Sequence, residues 1–130
     1  MKFSETIGID ISKSWIDARM HLARLERRFD NTIGGYKKLI KWVEKNLLLP
    51  KESILFAFEH TGLYSYGLSS FLSSGGYSFI LIPGLELHRS MGIVRGKEDH
   101  IDATKIALFA YRRREEITPY QMPARIIDHL

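Results

Sequence analysis

The sequence predicts an α/β fold built on a mixed sheet, with the element order β-β-β-α-β-α-β-α. The first thirty residues alternate apolar and polar side chains over three short segments, as half-buried strands do. Apolar residues then recur at helical spacing, and two later segments are continuously apolar, as strands covered on both faces are. A meander followed by β–α alternation implies antiparallel pairing first and parallel crossovers afterwards.

Each predicted element has a local signal in the sequence. The predicted strands cover residues 3–10, 15–22, 27–31, 53–58 and 77–82. The predicted helices cover residues 33–47, 63–72 and 99–114, with a shorter helix over 85–91 and a polar loop over 95–98. Asn31 or Thr32 is expected to cap the first helix and Thr61 the second, because their side-chain oxygens accept hydrogen bonds from free amides. This element order is that of the ribonuclease H-like architecture.

Length and composition limit the class of protein. The chain has 130 residues, of which 45% are apolar and 26% charged, so it reads as one folded domain over 1–117 with a tail or linker over 118–130. The absence of cysteine excludes disulfide scaffolds and thiolate metal sites. Neither a secretory signal nor a membrane-length apolar run is present, so a cytoplasmic protein without a membrane partner is expected. The net charge of +4 fits a nucleic-acid partner or a merely basic protein.

Four carboxylates occupy special positions in this scheme. Asp10 lies among isoleucines on the first strand, and Glu59 ends the buried run of the fourth. Asp99 and Asp102 are three residues apart at the start of the last predicted helix, which would place them on the face that carries Ala103, Ile106 and Ala110. Separately, each acid has a structural explanation: a buried ion pair for Asp10, a strand end for Glu59, and the helix dipole for the two aspartates. Convergence on one site explains all four together.

Clustered carboxylates repel one another unless cations are bound. Their hard oxygen ligands suit Mg²⁺ or Mn²⁺, and two such ions support phosphoryl transfer. Basic residues occur near the same acids, and their side chains would contact a phosphate backbone or simply be solvated. These residues are Lys13, Arg89, Arg95 and Lys97.

Several motifs in order resemble the DEDD transposases of bacterial insertion sequences, the group that also includes the Piv-type DNA invertases. The segment 7–13 with the following Trp15-Ile16-Asp17 resembles their first motif, and 58–64 resembles their second. The segments 83–86 and 95–103 resemble their third region. The similarity extends over about residues 5–117.

This resemblance implies a RuvC-like catalytic domain in which Asp10, Glu59, Asp99 and Asp102 hold the metal ions. It implies DNA as substrate, a bacterial or archaeal nucleoid-associated protein, and a dimer or tetramer of the full-length chain. It also implies a second domain with a nucleophilic serine, and in some members an element-encoded guide RNA. The sequence would then be an excised or truncated piece that does not complete recombination alone.

Two other functions are compatible with parts of the pattern. An ATP-binding module of the actin and sugar-kinase type also opens with a Gly-Ile-Asp strand, but Ile11-Ser12-Lys13 lacks the glycine that its phosphate turn needs. A non-catalytic nucleic-acid-binding or assembly module of the same fold would keep the acids only as structure. Metal binding distinguishes that module from a metal-dependent recombinase.

Overall fold

The computed structural model describes residues 2–92 and 101–120. Its strands are β1 (Glu5–Ile11), β2 (Trp15–Met20), β3 (Glu26–Asp30), β4 (Ile54–Glu59) and β5 (Ser78–Ile82). Its helices are α1 (Ile33–Asn46), α2 (Leu63–Ser74), α3 (Gly84–Met91) and α4 (Ala103–Arg112), and a 3₁₀ turn over Lys51–Ser53 precedes β4. The predicted loop over 95–98 lies outside the described residues.

The five strands form one mixed sheet in the order β3-β2-β1-β4-β5. Strands β1, β2 and β3 are antiparallel neighbours, whereas β4 is parallel to both β1 and β5. The short turns of the meander permit antiparallel pairing, and the helical crossovers make the later strands parallel. This topology confirms the predicted α/β class and its ribonuclease H-like architecture.

Helices cover both faces of the sheet. Side chains alternate between the two faces along each strand, so β4 and β5 contribute to two separate cores. Ile7 and Ile9 pack with residues of α1 and α2 on one face, including Leu39 and Leu68. On the opposite face, the second core joins β4 and β5 to α3 and α4 through Leu55, Ala57, Ile80, Leu87, Ile106 and Ala110.

The cap of α2 and the start of α4 differ from the sequence prediction, whereas the cap of α1 agrees with it. Thr32 caps α1 and accepts a hydrogen bond from the Gly35 amide at 3.1 Å, as expected. Thr61 does not cap α2: Gly62 is the residue before that helix, with a φ of 62°, and Thr61 Oγ1 is buried without a hydrogen-bond partner among the described residues. The final helix begins at Ala103, because Asp102 has an extended backbone and is its N-cap. The prediction that Asp102 lies inside this helix, three residues after Asp99, is therefore wrong.

Helix α4 lies directly on the backbone of β1 at Gly8. A Cβ atom added to Gly8 would lie 2.3 Å from the Ala107 nitrogen and 2.4 Å from the Ala103 oxygen. The Thr6 hydroxyl donates a hydrogen bond to the Ala107 carbonyl at 2.9 Å, which fixes the helix along the strand. Only glycine permits this approach, so Gly8 determines where α4 begins relative to the end of β1.

We expect Gly8→Ala to lower the free energy of unfolding by about 1–3 kcal/mol, because the added methyl meets backbone atoms that cannot move aside. Gly34→Ala is the matched control, since a Cβ there has no neighbour closer than 3.9 Å. Alanine in that exposed helical position should raise stability by about 0.5 kcal/mol. Chemical denaturation of both variants tests the expectation, which fails if Gly8→Ala is as stable as the parent chain.

Candidate metal centre at the carboxylate edge

Asp10 and Glu59 lie side by side at one end of the sheet. Strands β1 and β4 are parallel neighbours in which Gly8 pairs with Ala57 and Ile9 with Phe58, so the next residues are Asp10 and Glu59. Both acidic side chains share the face of Gly8 and Ala57, the face that α4 covers. Both are half-buried. We call this end of β1 and β4, with Asp10 and Glu59, the carboxylate edge.

The Glu59 carboxylate contacts the start of α3. A Cβ added to Gly84 would lie 2.4 Å from Glu59 Oε2, so the glycine leaves the space that the carboxylate occupies. Helix α3 begins at Gly84 after Pro83, without a side-chain cap. The free amides at a helix N-terminus attract a nearby negative charge, and the Glu59 carboxylate lies beside the first residue of this helix.

Asp102 lies at the N-terminus of α4 and is exposed. Its carboxylate accepts a hydrogen bond from the Lys105 amide at 3.1 Å. The next residue, Ala103, contacts β1 at Gly8, which is two residues before Asp10 on the same face. Helix α4 thus directs its N-terminus toward the carboxylate edge. Asp99 lies outside the described residues.

The fold brings Asp10, Glu59 and Asp102 to the same end of the sheet, but the three side chains do not surround a common point. Within residues 2–92 and 101–120, no three side chains of histidine, aspartate or glutamate are close enough to hold one ion. The chemistry of Asp10, Glu59 and Asp102 does fit a hard divalent cation, because all their donor atoms are carboxylate oxygens.

A second aspartate lies beside Asp10 on the neighbouring strand, where an arginine neutralises it. Asp17 on β2 pairs with Asp10 on β1, and Arg28 on β3 pairs with Asp17. Arg28 donates to both Asp17 oxygens, at 2.8 and 3.1 Å. The hydrogen bond with Asp17 raises the pKa of the Arg28 guanidinium, and the Asp10 charge adds a smaller contribution. In the sequence, Asp17 is noticeable only as the last residue of the Trp15-Ile16-Asp17 segment, because spacing along the chain does not reveal which residues pair across strands.

The predicted phosphate-contacting residues are only partly described. Lys13 is exposed in the turn after β1, at the carboxylate edge, and Arg89 is exposed near the end of α3. Arg95 and Lys97 lie outside the described residues. His60, next to Glu59, is exposed, and its Nδ1 accepts a hydrogen bond from the Gly62 amide at 3.2 Å.

Asn31 connects the loops that surround the carboxylate edge. Its amide group donates to the Ser12 carbonyl at 2.9 Å and to the Tyr64 carbonyl at 3.0 Å, so it joins the loop after β1 to the start of α2. Its Oδ1 accepts a hydrogen bond from the Tyr36 hydroxyl of α1. Burial raises the pKa of Tyr36, which keeps that hydroxyl protonated as the donor.

Glu5 is a buried acid that the sequence analysis did not single out. It is only 2% exposed, and its carboxylate accepts hydrogen bonds from the Leu22 and Ala23 amides, each with a closest distance of 2.9 Å. These bonds satisfy the carboxylate and hold the turn between β2 and β3 against the start of β1. Glu5 lies at the opposite end of β1 from Asp10, so its role is structural.

Comparison with known proteins identifies the family to which this chain belongs. A family model described as a transposase, the DEDD type of IS110 elements, matches residues 7–130. The chain therefore belongs to this transposase family, which supports a DNA-processing enzyme and confirms the family resemblance of the motifs. A search of curated proteins found no match. Among the described residues, no helix has the length and apolar character needed to cross a membrane.

We expect Asn31→Asp to loosen the carboxylate edge, because aspartate keeps an acceptor for Tyr36 but has no donors for the Ser12 and Tyr64 carbonyls. The two unpaired carbonyls should cost about 1–3 kcal/mol of stability. Hydrogen exchange should become faster in 12–14 and 62–65. Tyr36→Phe, which removes only the third hydrogen bond, is the control. Unchanged exchange in Asn31→Asp would contradict this role.

Proposed function

We propose that this chain is the metal-dependent catalytic domain of a transposase that cleaves and transfers DNA strands by phosphoryl transfer. Asp10, Glu59, Asp99 and Asp102 are the proposed ligands and catalytic residues, for two ions of Mg²⁺ or Mn²⁺. The observation that supports this most directly is the position of Asp10 and Glu59, level on adjacent parallel strands and facing the helix that Asp102 caps. Family membership supplies the DNA substrate.

The electrostatics of the carboxylate edge favour a bound cation. Asp10 and Glu59 lie level on neighbouring parallel strands and share one face of the sheet, and carboxylates gathered at one edge repel one another unless a cation is bound. A divalent ion between Asp10 and Glu59 would replace the repulsion with two attractions.

The chain's own residues have distinct tasks in this proposal. The four acids hold the ions, and Gly84 leaves room for the Glu59 carboxylate. Lys13, Arg89, Arg95 and Lys97 hold the phosphate backbone beside the edge. When bound, a pair of divalent ions activates the attacking oxygen and stabilises the leaving oxygen of the phosphodiester.

Further parts of the proposal rest on the family resemblance alone. They are a RuvC-like relationship of the domain, a nucleophilic serine outside these 130 residues and an element-encoded guide RNA. A homodimer or homotetramer of the whole protein belongs with them, because recombination brings two duplexes together. We expect the protein to act on DNA in the bacterial or archaeal cytoplasm.

We expect Asp10→Asn and Glu59→Gln each to weaken Mn²⁺ binding by at least about tenfold while the fold is retained, since each removes one charged oxygen ligand. Glu44→Gln is the matched control, because Glu44 is an exposed acid on α1, which lies on the other face of the sheet. Calorimetric titration with Mn²⁺ measures the affinities, and circular dichroism checks the fold. Parent-like affinity in Asp10→Asn would favour the non-catalytic nucleic-acid-binding module.

We expect Gly84→Ala to weaken Mn²⁺ binding by a smaller factor, about three- to tenfold, because the new methyl displaces the Glu59 carboxylate without removing it. Stability should change little, since the carboxylate is the flexible end of a side chain. The double variant Gly84→Ala with Glu59→Gln should bind as Glu59→Gln alone does. Additive losses in the double variant would show that Gly84 acts by another route.

A further inference from the structure

Helix α1 carries its charge on one side. Lys37, Lys38, Lys41 and Lys45 are all exposed, and at about 100° per residue they fall within an arc of about 100°. The buried residues of the helix, which include Leu39 and Val43, lie on the opposite side against the sheet. The four lysines of α1 therefore lie together on its exposed side.

These lysines are not neutralised by the protein. In the part of the chain that the structure describes, ion pairs join Arg19 to Glu26 and Arg28 to Asp17, and no ion pair includes a lysine of α1. Glu44 borders the lysines but lines a pocket with Tyr77, where its charge contributes to a raised tyrosine pKa. Like charges at helical spacing cost about 0.2–0.5 kcal/mol per pair. An external anion would remove that cost.

Arg27 of β3 extends the patch beyond the helix. It pairs with Ala18, whose side chain is in the core beneath α1, so Arg27 points to the α1 side of the sheet. Its guanidinium lies 5.3 Å from the Phe29 ring. Arg27 lines an open groove with Lys38, Lys41 and Lys45. We call these residues the basic face, which comprises Arg27, Lys37, Lys38, Lys41 and Lys45.

The basic face starts at the same end of the sheet as the carboxylate edge. The last residue of β3, Asp30, pairs with Trp15 at the turn that follows β1, and α1 begins three residues later. Asn31 then joins this point to the Ser12 carbonyl after β1. From Lys37 to Lys45 the helix runs about 12 Å away from the edge, on the face opposite α4.

We propose that the basic face binds the phosphate backbone of the DNA duplex whose strand is cleaved at the carboxylate edge, a proposal that rests on the proposed function. A duplex carries one phosphate per strand about every 3.4 Å, so the 12 Å of lysines spans about three or four phosphates of one strand. Lysine contacts phosphate as a point charge, so this contact positions the duplex and reads no sequence.

The composition of the face favours duplex backbone over single-stranded RNA. Proteins that bind single strands stack bases on exposed aromatic rings. The one aromatic residue in the groove, Trp42, is half-buried and packs edge-on against Phe29 at 5.5 Å between ring centroids. The groove offers cations without a free stacking surface.

Fluorescence anisotropy with a labelled duplex, in EDTA, tests the proposal on the 130-residue chain. Lys38→Gln/Lys41→Gln/Lys45→Gln should bind at least about tenfold more weakly, and the slope of log Kd against log salt should fall by about two to three. The arginine counterpart, Lys38→Arg/Lys41→Arg/Lys45→Arg, should bind as the parent chain does. Lys2→Gln/Arg24→Gln/Arg112→Gln removes the same charge elsewhere and should weaken binding by less than about threefold.

Three results would overturn the proposal. They are parent-like duplex affinity in the lysine-to-glutamine variant, equal losses in both glutamine variants, and a loss confined to a single-stranded RNA probe. The circular dichroism spectrum of the lysine-to-glutamine variant should match that of the parent chain, which shows that the variant is folded. The metal-binding proposal fails independently, on Asp10→Asn, because the anisotropy experiment contains no free divalent ion.

Discussion

The contact between α4 and the backbone of β1 at Gly8 is the constraint on which the candidate site depends. Because no side chain separates the two elements, the helix backbone rests on the strand and the Thr6 hydroxyl fixes its position along it. The N-terminus of the helix then lies beside the end of the strand that carries Asp10. A larger residue at position 8 would move α4 outward and carry Asp102 away with it.

The order of the strands places several acids at this same end of the sheet. Parallel pairing of β1 with β4 makes two strands end at the same side, so acids about fifty residues apart in sequence become neighbours. Antiparallel pairing of β1 with β2 adds Asp17 to the same row, and β3 supplies Arg28 to neutralise it. Arg28 thus neutralises Asp17 within the sheet, and Asp10 and Glu59 are the acids proposed to bind a cation.

The two faces of the sheet have different electrostatic characters. Carboxylates gather on the α4 face at the end of the strands, whereas exposed lysines, in no ion pair among the described residues, lie on the outer side of α1 on the other face. Asn31 links these regions, because its hydrogen bonds reach the loop after β1, the start of α2 and the first turn of α1. DNA bound along α1 would thus extend toward the carboxylate edge, where bound cations would offset the repulsion between its phosphates and the acids.

Sequence patterns predicted the strands, the helices, their order and the positions of Asp10 and Glu59, because hydrophobic periodicity and family motifs are local signals. Glu59 ends β4 and Asp10 lies one residue before the end of β1, as periodicity and the buried run had indicated. Tertiary structure alone decided that Asp102 caps α4, that Thr61 caps nothing, that Glu5 is buried and that Arg28 holds Asp17. Each of these depends on a strand pairing, a glycine in a left-handed conformation or a close backbone approach. Such contacts join residues far apart in the chain, and no spacing along it encodes them.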